Sequence, residues 1–246
     1  MSLQYQSEPD ETVEGVLAVE PPPPVEVIGP PVYTSALIAC FAAVSIAQFA
    51  VGLDPSVLIA GFDKPAFLGG GEYWRILTGA VLHGGLAHIA LNSFAFYSFG
   101  RLSEYLSDRA HTAIVFLIAA IAGGAVSAFF VPEGRSVGAS GGILGVVGYL
   151  AAYTIQRRKF VTPEFRRSLL MNIGFILIFG LVLYQVIDNY AHIGGLAAGA
   201  VYGFLQVPSD PHKDPRESGS SAEIMGLAAL ATTIAVSIFS IYLLLS

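Results

Sequence analysis

The chain has 246 residues, of which 54% are hydrophobic and only 12% are charged. Soluble domains carry about 25% charged residues, so this composition excludes an ordinary soluble protein and predicts an integral membrane protein. The formal net charge of −6 arises largely because six acidic residues lie within the first 26 positions. Because no basic surface is evident, nucleic acid is excluded as a partner.

Residues 1–31 combine these acidic residues with two proline clusters, Pro21–Pro24 and Pro30–Pro31. A segment of this kind cannot bury a core and favours extended, solvated backbone, so it predicts a disordered, acidic, proline-rich tail. No positively charged stretch precedes a short apolar run and a cleavage site here. A secretory signal peptide is therefore not expected.

Seven later segments are each apolar over about 20 residues, the length that spans a bilayer as an α-helix. They cover residues 32–53, 76–100, 112–131, 137–156, 168–187, 191–207 and 223–245. The pattern predicts an all-α, polytopic membrane protein with a six-helix domain at 32–207. A polar linker at 208–222 separates this domain from a seventh transmembrane helix at 223–246.

The distribution of Lys and Arg predicts how the chain is oriented. If the N-terminus is cytoplasmic, nine of the twelve basic residues fall in cytoplasmic loops, and short loops rich in Lys and Arg stay on that side. The tail is then cytoplasmic and the seventh helix ends outside. The loops are short and no organelle-targeting segment is recognisable, so we expect the plasma membrane of a bacterium.

With this orientation the second, fourth and sixth spans all enter the membrane from the outer side. His88 and Asn92, Ser140, and His192 lie near those three helix starts. Polar side chains at membrane depth are costly and indicate function. A neutral imidazole could accept the serine proton, so Ser140 and His192 form a candidate nucleophile and base. His88 and Asn92 are spaced i, i+4 and could stabilise an oxyanion together with the Ser140 N–H.

Small residues predict that the fourth and sixth spans pack closely. Glycines recur on both at helical spacing, at Gly141, Gly145 and Gly148 and at Gly195, Gly199 and Gly203. Such stripes let two helix backbones approach each other, which would bring Ser140 and His192 together. The alternative is that the glycines only pack helices.

Each polar candidate also has a structural alternative. Ser140 could be a helix cap, and His88 with Asn92 an interhelical hydrogen-bonding network. His83, His88 and His192 could bind zinc, but there is no His-Glu-x-x-His sequence, so no metal is expected. Asp188 could orient His192 or lie in the loop before it, and the loop interpretation favours a dyad over a triad.

Three further residues lie near the ends of the second span. Trp74 and Arg75 could be an aromatic-belt anchor and a snorkelling cation. Glu104 could accept a hydrogen bond from a neighbouring helix or face the cytoplasm. Its role would be structural in both cases.

The pattern resembles the rhomboid family of intramembrane serine proteases over about residues 72 to 204. The motifs that carry the resemblance are Glu72-Tyr73-Trp74-Arg75, His83-x4-His88-x3-Asn92, Gly100-x3-Glu104, Gly138-Ala139-Ser140-Gly141, and Ala191-His192-Ile193-Gly194-Gly195 with Gly199. Leu144 departs from the family, which often has an aromatic residue four positions after the serine.

The resemblance implies a six-helix catalytic domain, with the seventh helix matching a six-plus-one variant. It implies Ser140 as nucleophile, His192 as general base and acid, and His88 and Asn92 as oxyanion donors. The remaining motif residues would support the site, namely His83, Gly138, Trp74, Arg75 and Glu104. The implied substrates are single-span or polytopic membrane proteins, cut within the lipid bilayer near its outer face without a cofactor.

Two other classes of function compete with this interpretation. A non-catalytic relative that binds transmembrane clients should lack the serine or the histidine, and this chain has both. A transporter should carry ionisable residues along the midplane of several spans and an internal repeat, and the sequence shows neither.

Overall fold

The computed structural model describes residues 29–246. The tail predicted for residues 1–31 therefore lies almost entirely outside the described residues. The helices found there are α1 (Val32–Val51), α2 (Leu53–Ala60), α3 (Lys64–Leu68), α4 (Arg75–Val81), α5 (Leu86–Leu106), α6 (Arg109–Phe130), α7 (Ser140–Gln156), α8 (Pro163–Val182), α9 (Asn189–Gln206) and α10 (Ser220–Leu245). Two short strands, β1 (Phe62–Asp63) and β2 (Arg135–Ser136), pair antiparallel.

Four of these helices, α1, α6, α8 and α10, are long and apolar enough to cross a membrane. The chain is therefore an integral membrane protein of the all-α class. The other three long helices, α5, α7 and α9, carry the polar candidates and the glycines. The count of six spans plus one, and the division into domains, stay predictions.

The second predicted span, residues 76–100, is wrong as a continuous helix. It is broken between α4 and α5, and α5 continues to Leu106. The break contains Gly84 and Gly85, and Gly85 has a φ of +132°, which favours glycine. The side chain of Gln48 on α1 donates to the His83 carbonyl at 3.0 Å and accepts from the His83 N–H at 2.9 Å. These bonds satisfy backbone groups that the interrupted helix leaves free.

The residues between the first two predicted spans are folded. They form α2, β1 and α3, and lead into α4; we call Leu53–Val81 the α2–α4 segment. Arg75 is buried there and donates to the carbonyls of Leu58, at 3.3 Å, and Gly61, at 3.0 Å. Its interpretation as a snorkelling cation is wrong, because its charge is turned into the protein, where it pairs with Glu72 and holds two carbonyls at the end of α2.

The close contact predicted between the fourth and sixth spans, now α7 and α9, is confirmed. A Cβ added to Gly195 would overlap the backbone oxygen of Gly141, and one added to Gly199 would overlap that of Gly145. The two backbones thus touch without intervening side chains. Helix α6 packs against both and completes the centre of the bundle.

The C-terminal part of the chain packs against this bundle. Helix α10 lies against α1 and α6, with Gly226 against the backbone of Ala110. Phe239 of α10 meets Trp74 edge-on, with ring centroids 5.6 Å apart. In the preceding linker the carbonyl of Asp210 accepts a 2.6 Å hydrogen bond from the buried Arg157. The linker is therefore held to the end of α7.

We predict that Gly199→Ala lowers the melting temperature in detergent, because the added methyl group would overlap the Gly145 backbone. Overpacking of this kind costs about 1–3 kcal/mol. Gly174→Ala on α8 is the matched control, since nothing lies within 4 Å of its added carbon. Alanine is the better helix former, so the control should be unchanged or slightly more stable. Equal melting temperatures for the two variants would contradict the backbone contact.

Candidate active site

Ser140 and His192 lie at neighbouring helix starts and are hydrogen-bonded to each other. Ser140 is the first residue of α7, and His192 is in the first turn of α9. The Ser140 Oγ and the His192 Nε2 are 2.8 Å apart. The imidazole is buried and the serine is partly accessible. The structure thus joins two residues that are 52 positions apart in the sequence.

The second ring nitrogen of His192 makes no hydrogen bond in the described part of the chain. Its Nδ1 is buried, and no hydrogen-bond partner is present among residues 29–246. Asp188, which the sequence left as an orienting residue or a loop residue, caps α9 by accepting from the Ala191 N–H at 3.0 Å. Ser140 and His192 thus form a hydrogen-bonded pair, and no third side chain of residues 29–246 is bonded to the Nδ1.

His88 and Asn92 share one face of α5, as their spacing predicts, and that face is turned towards Gly138. A Cβ built on Gly138 would lie 2.9 Å from the His88 Nε2 and 3.6 Å from the Asn92 Nδ2. Gly138 has a φ of +134°, and its N–H donates to the Gly79 carbonyl at 2.9 Å. Only glycine combines this backbone conformation with so close an approach.

The hydrogen bonds of these two side chains leave donors free at the site. The Gly84 N–H donates to the His88 Nδ1 at 3.2 Å. A neutral imidazole that accepts at Nδ1 carries its proton on Nε2, the nitrogen nearest Gly138. The Asn92 Nδ2 is buried without an acceptor in the described part of the chain. Both groups can therefore donate to a negatively charged oxygen that arrives beside Gly138.

His83 lies behind His88 and is fully buried. Its ring meets the His88 ring at nearly right angles, with centroids 5.3 Å apart, and also packs against Phe41, with centroids 5.6 Å apart. His83 thus supports the His88 ring by packing.

The remaining predicted residues lie outside the immediate site. Glu104 is twelve residues beyond Asn92 on α5, roughly 18 Å along the helix axis. It accepts from the N–H of Thr34 at 2.6 Å and from its hydroxyl at 2.7 Å, which is the interhelical hydrogen bond considered for it. Trp74 lies under the guanidinium of Arg75, 4.6 Å from the ring centroid. These residues hold helices and the α2–α4 segment in place.

The sequence reasoning missed Gln48, whose side chain fixes the backbone beside His83 and His88. A signal was present, because a glutamine inside an apolar span is costly unless it finds partners. It also missed the Gly79 carbonyl, which no side-chain pattern reveals.

The assembled geometry suits acyl transfer. A hydroxyl in hydrogen-bonding contact with a neutral imidazole can be deprotonated as it attacks a carbonyl carbon. Two or more preorganised donors beside it can stabilise the resulting oxyanion. The first N–H groups of α7, which have no acceptor within the helix, add further donors.

Comparison with known proteins gives a consistent set of matches. A family model described as Rhomboid domain matches residues 70–209, which include every candidate site residue. The chain is 35% identical over 139 residues to Rhomboid protease GluP of Bacillus subtilis (strain 168), covering 56% of this chain and 27% of that protein. It is 34% identical over 152 residues to RHOMBOID-like protein 6, mitochondrial, of Arabidopsis thaliana, covering 60% and 48%.

A third relative is the Putative rhomboid protease YdcA of Bacillus subtilis (strain 168). It is 27% identical over 138 residues, covering 56% of this chain and 69% of that protein. The matched region spans less than half the length of the first two relatives.

Proposed function

This chain belongs to the rhomboid family, and we propose that it is a serine endopeptidase that hydrolyses peptide bonds of other membrane proteins. The observation that carries the proposal is the 2.8 Å contact between Ser140 and His192, beside which lies the Asn92 Nδ2, a donor with no acceptor among the described residues. The relatives GluP and YdcA are both named as rhomboid proteases, which agrees with this chemistry.

In the first half-reaction the Ser140 Oγ attacks the carbonyl carbon of the scissile peptide, and its proton passes to the His192 Nε2. The carbonyl oxygen becomes an oxyanion, to which the Asn92 Nδ2–H and the His88 Nε2–H donate. Collapse of this intermediate breaks the C–N bond. The imidazolium returns its proton to the leaving amine, which leaves an ester on Ser140.

Water completes the cycle. His192 takes a proton from a water molecule as its oxygen attacks the ester carbon, and the same donors stabilise the second oxyanion. The C–O bond to Ser140 then breaks, and the serine recovers its proton from His192. The products are a new carboxyl terminus and a new amino terminus, and the enzyme is restored without a cofactor.

The location of the cut follows from the proposed orientation. With the N-terminus cytoplasmic, the starts of α5, α7 and α9 lie on the outer side, so the site opens towards the outer face of the bilayer. We propose the bacterial plasma membrane as the location. The substrates would be single-span or polytopic membrane proteins that enter from the surrounding lipid.

We predict that a serine-directed fluorophosphonate probe labels the intact protein, because it captures a hydroxyl that a base activates. Ser140→Ala should abolish labelling. His192→Ala should lower the labelling rate at least about 100-fold, the size of a typical general-base contribution. Ser98→Ala, which changes an exposed serine of α5, is the control and should label normally. If the wild-type protein is not labelled, the proposal fails.

Gly138→Ala should lower the labelling rate more than about 10-fold, since the side chains that would stabilise the oxyanion must move when a methyl group enters their space. Gly71→Ala is matched to it, because Gly71 also has a positive φ, of +73°, but nothing within 4 Å of the added carbon. Labelling rates and melting temperatures of both variants separate the displacement of the oxyanion donors from the backbone strain that alanine causes at a positive φ. Similar labelling of the two would argue against the contact with His88.

A hydrogen-bonded helix shields its carbonyls, so a substrate helix must unwind before it reaches Ser140. We therefore expect substrates with Gly, Pro or small polar residues near the cut, and with small side chains beside the scissile bond. Replacing those residues of one substrate by leucine should slow its cleavage, as measured by the appearance of product fragments. An unchanged cleavage rate would contradict this substrate preference but would not affect the labelling result.

A further inference from the structure

A buried ion pair joins the α2–α4 segment to the start of α9. The Nζ of Lys64 lies 3.4 Å from the Oδ2 of Asp188, and the two side chains are only 4% and 18% exposed. These residues are 124 positions apart. Buried charges are costly unless they are paired, so loss of either residue would leave the other as an uncompensated charge.

Asp188 is fixed from several directions. Its Oδ2 also accepts from the Ser127 hydroxyl of α6 at 2.5 Å, and its Oδ1 accepts from the Ala191 N–H at 3.0 Å. Burial alone would raise the pKa of this carboxyl, but those hydrogen bonds and the Lys64 charge hold the pKa below its usual value. Asp188 is thus ionised, and its backbone carbonyl accepts from the His192 N–H at 3.1 Å.

The chain before Asp188 supports the start of α9 chiefly through one hydrogen bond, from the Asn189 side chain to the Gly180 carbonyl at 2.9 Å. Only 11% of the most apolar 18-residue stretch of α8 is buried, and residues 183–186 are exposed. Within residues 29–246 no side chain is hydrogen-bonded to the His192 Nδ1 that could fix the orientation of the ring. The direction of the imidazole must therefore follow from the backbone of the first turn of α9.

We propose that Lys64 and Asp188 are positioning residues, which hold the first turn of α9 so that the His192 Nε2 stays within hydrogen-bonding distance of Ser140. The inference rests on the proposed function. Lys64 can do this because it is itself fixed: its N–H donates to the Gly134 carbonyl at 3.1 Å, beside the β1–β2 pair. The α2–α4 segment thereby reaches across to the general base.

The test compares Asp188→Asn, Lys64→Met and the double variant. Asparagine is as good a helix cap as aspartate, so Asp188→Asn removes the charge and keeps the cap. We expect each single variant to lower the rate of Ser140 labelling by the fluorophosphonate about 10-fold, since displacing a catalytic group by about 1 Å can cost up to 100-fold. The double variant should fall no further, because all three remove one contact.

Arg135→Met is the matched control. Arg135 forms the neighbouring ion pair with Asp63, at 2.6 Å, but its side chain is 48% exposed and it is not bonded to α9. We expect its labelling rate to stay within about two-fold of wild type, since exposed pairs contribute little.

With a transmembrane substrate, Asp188→Asn should lower kcat and leave KM unchanged, and Lys64→Arg should retain most of the activity.

The outcomes separate this inference from the proposed function. If wild type is labelled and the folded single variants label at the same rate, the positioning role is wrong and the protease proposal stands. The positioning role is also wrong if the labelling rate falls only in proportion to the fraction of folded protein. It is wrong as well if the double variant labels about 100-fold more slowly than wild type, because the two substitutions would then act independently. If the single variants do not fold, the double variant is measured instead, because it leaves no charge unpaired. A labelling rate about 10-fold below wild type then supports the positioning role, and a wild-type rate overturns it. Wild-type protein without labelling overturns both.

Discussion

The approach of α7 to α9 is the contact on which the rest of the structure depends. Gly141 and Gly145 present bare backbone to Gly195 and Gly199, so the two helices touch along their length. Without side chains between them, the first turns of both helices lie close enough for a 2.8 Å bond between Ser140 and His192. In a bilayer, where lipid is as apolar as leucine, such close van der Waals packing is a main source of helix association.

Around this contact, polar groups divide into those that are paired and those that are left available. Gln48 pairs with the backbone at the α4–α5 break, and Asp188 pairs with Lys64. The Asn92 amide remains buried without an acceptor in the described chain. Leaving a buried donor unpaired costs about 1–3 kcal/mol. That cost has a physical reason if a substrate oxygen provides the acceptor at the moment of reaction.

The α2–α4 segment has a larger part in the site than a loop between spans would have. Through the Gly79 carbonyl it holds the turn before Ser140, and through Lys64 it reaches the start of α9. Trp74 packs against Phe239 of α10, so the last helix also contacts this segment. The two helix starts that carry the serine and the histidine are thus braced by one folded unit.

The sequence by itself determined the membrane class, most of the long helices and the contact between the glycine stripes, because apolar length and small-residue spacing are local properties. It also placed His88 and Asn92 on one face. The tertiary structure decided where the second span breaks, which nitrogen of His88 holds the proton, and what Asp188 binds. A hydropathy window averages over Gly84 and Gly85, and it cannot see hydrogen bonds between residues as distant as Lys64 and Asp188. Such pairings exist only once the helices have packed.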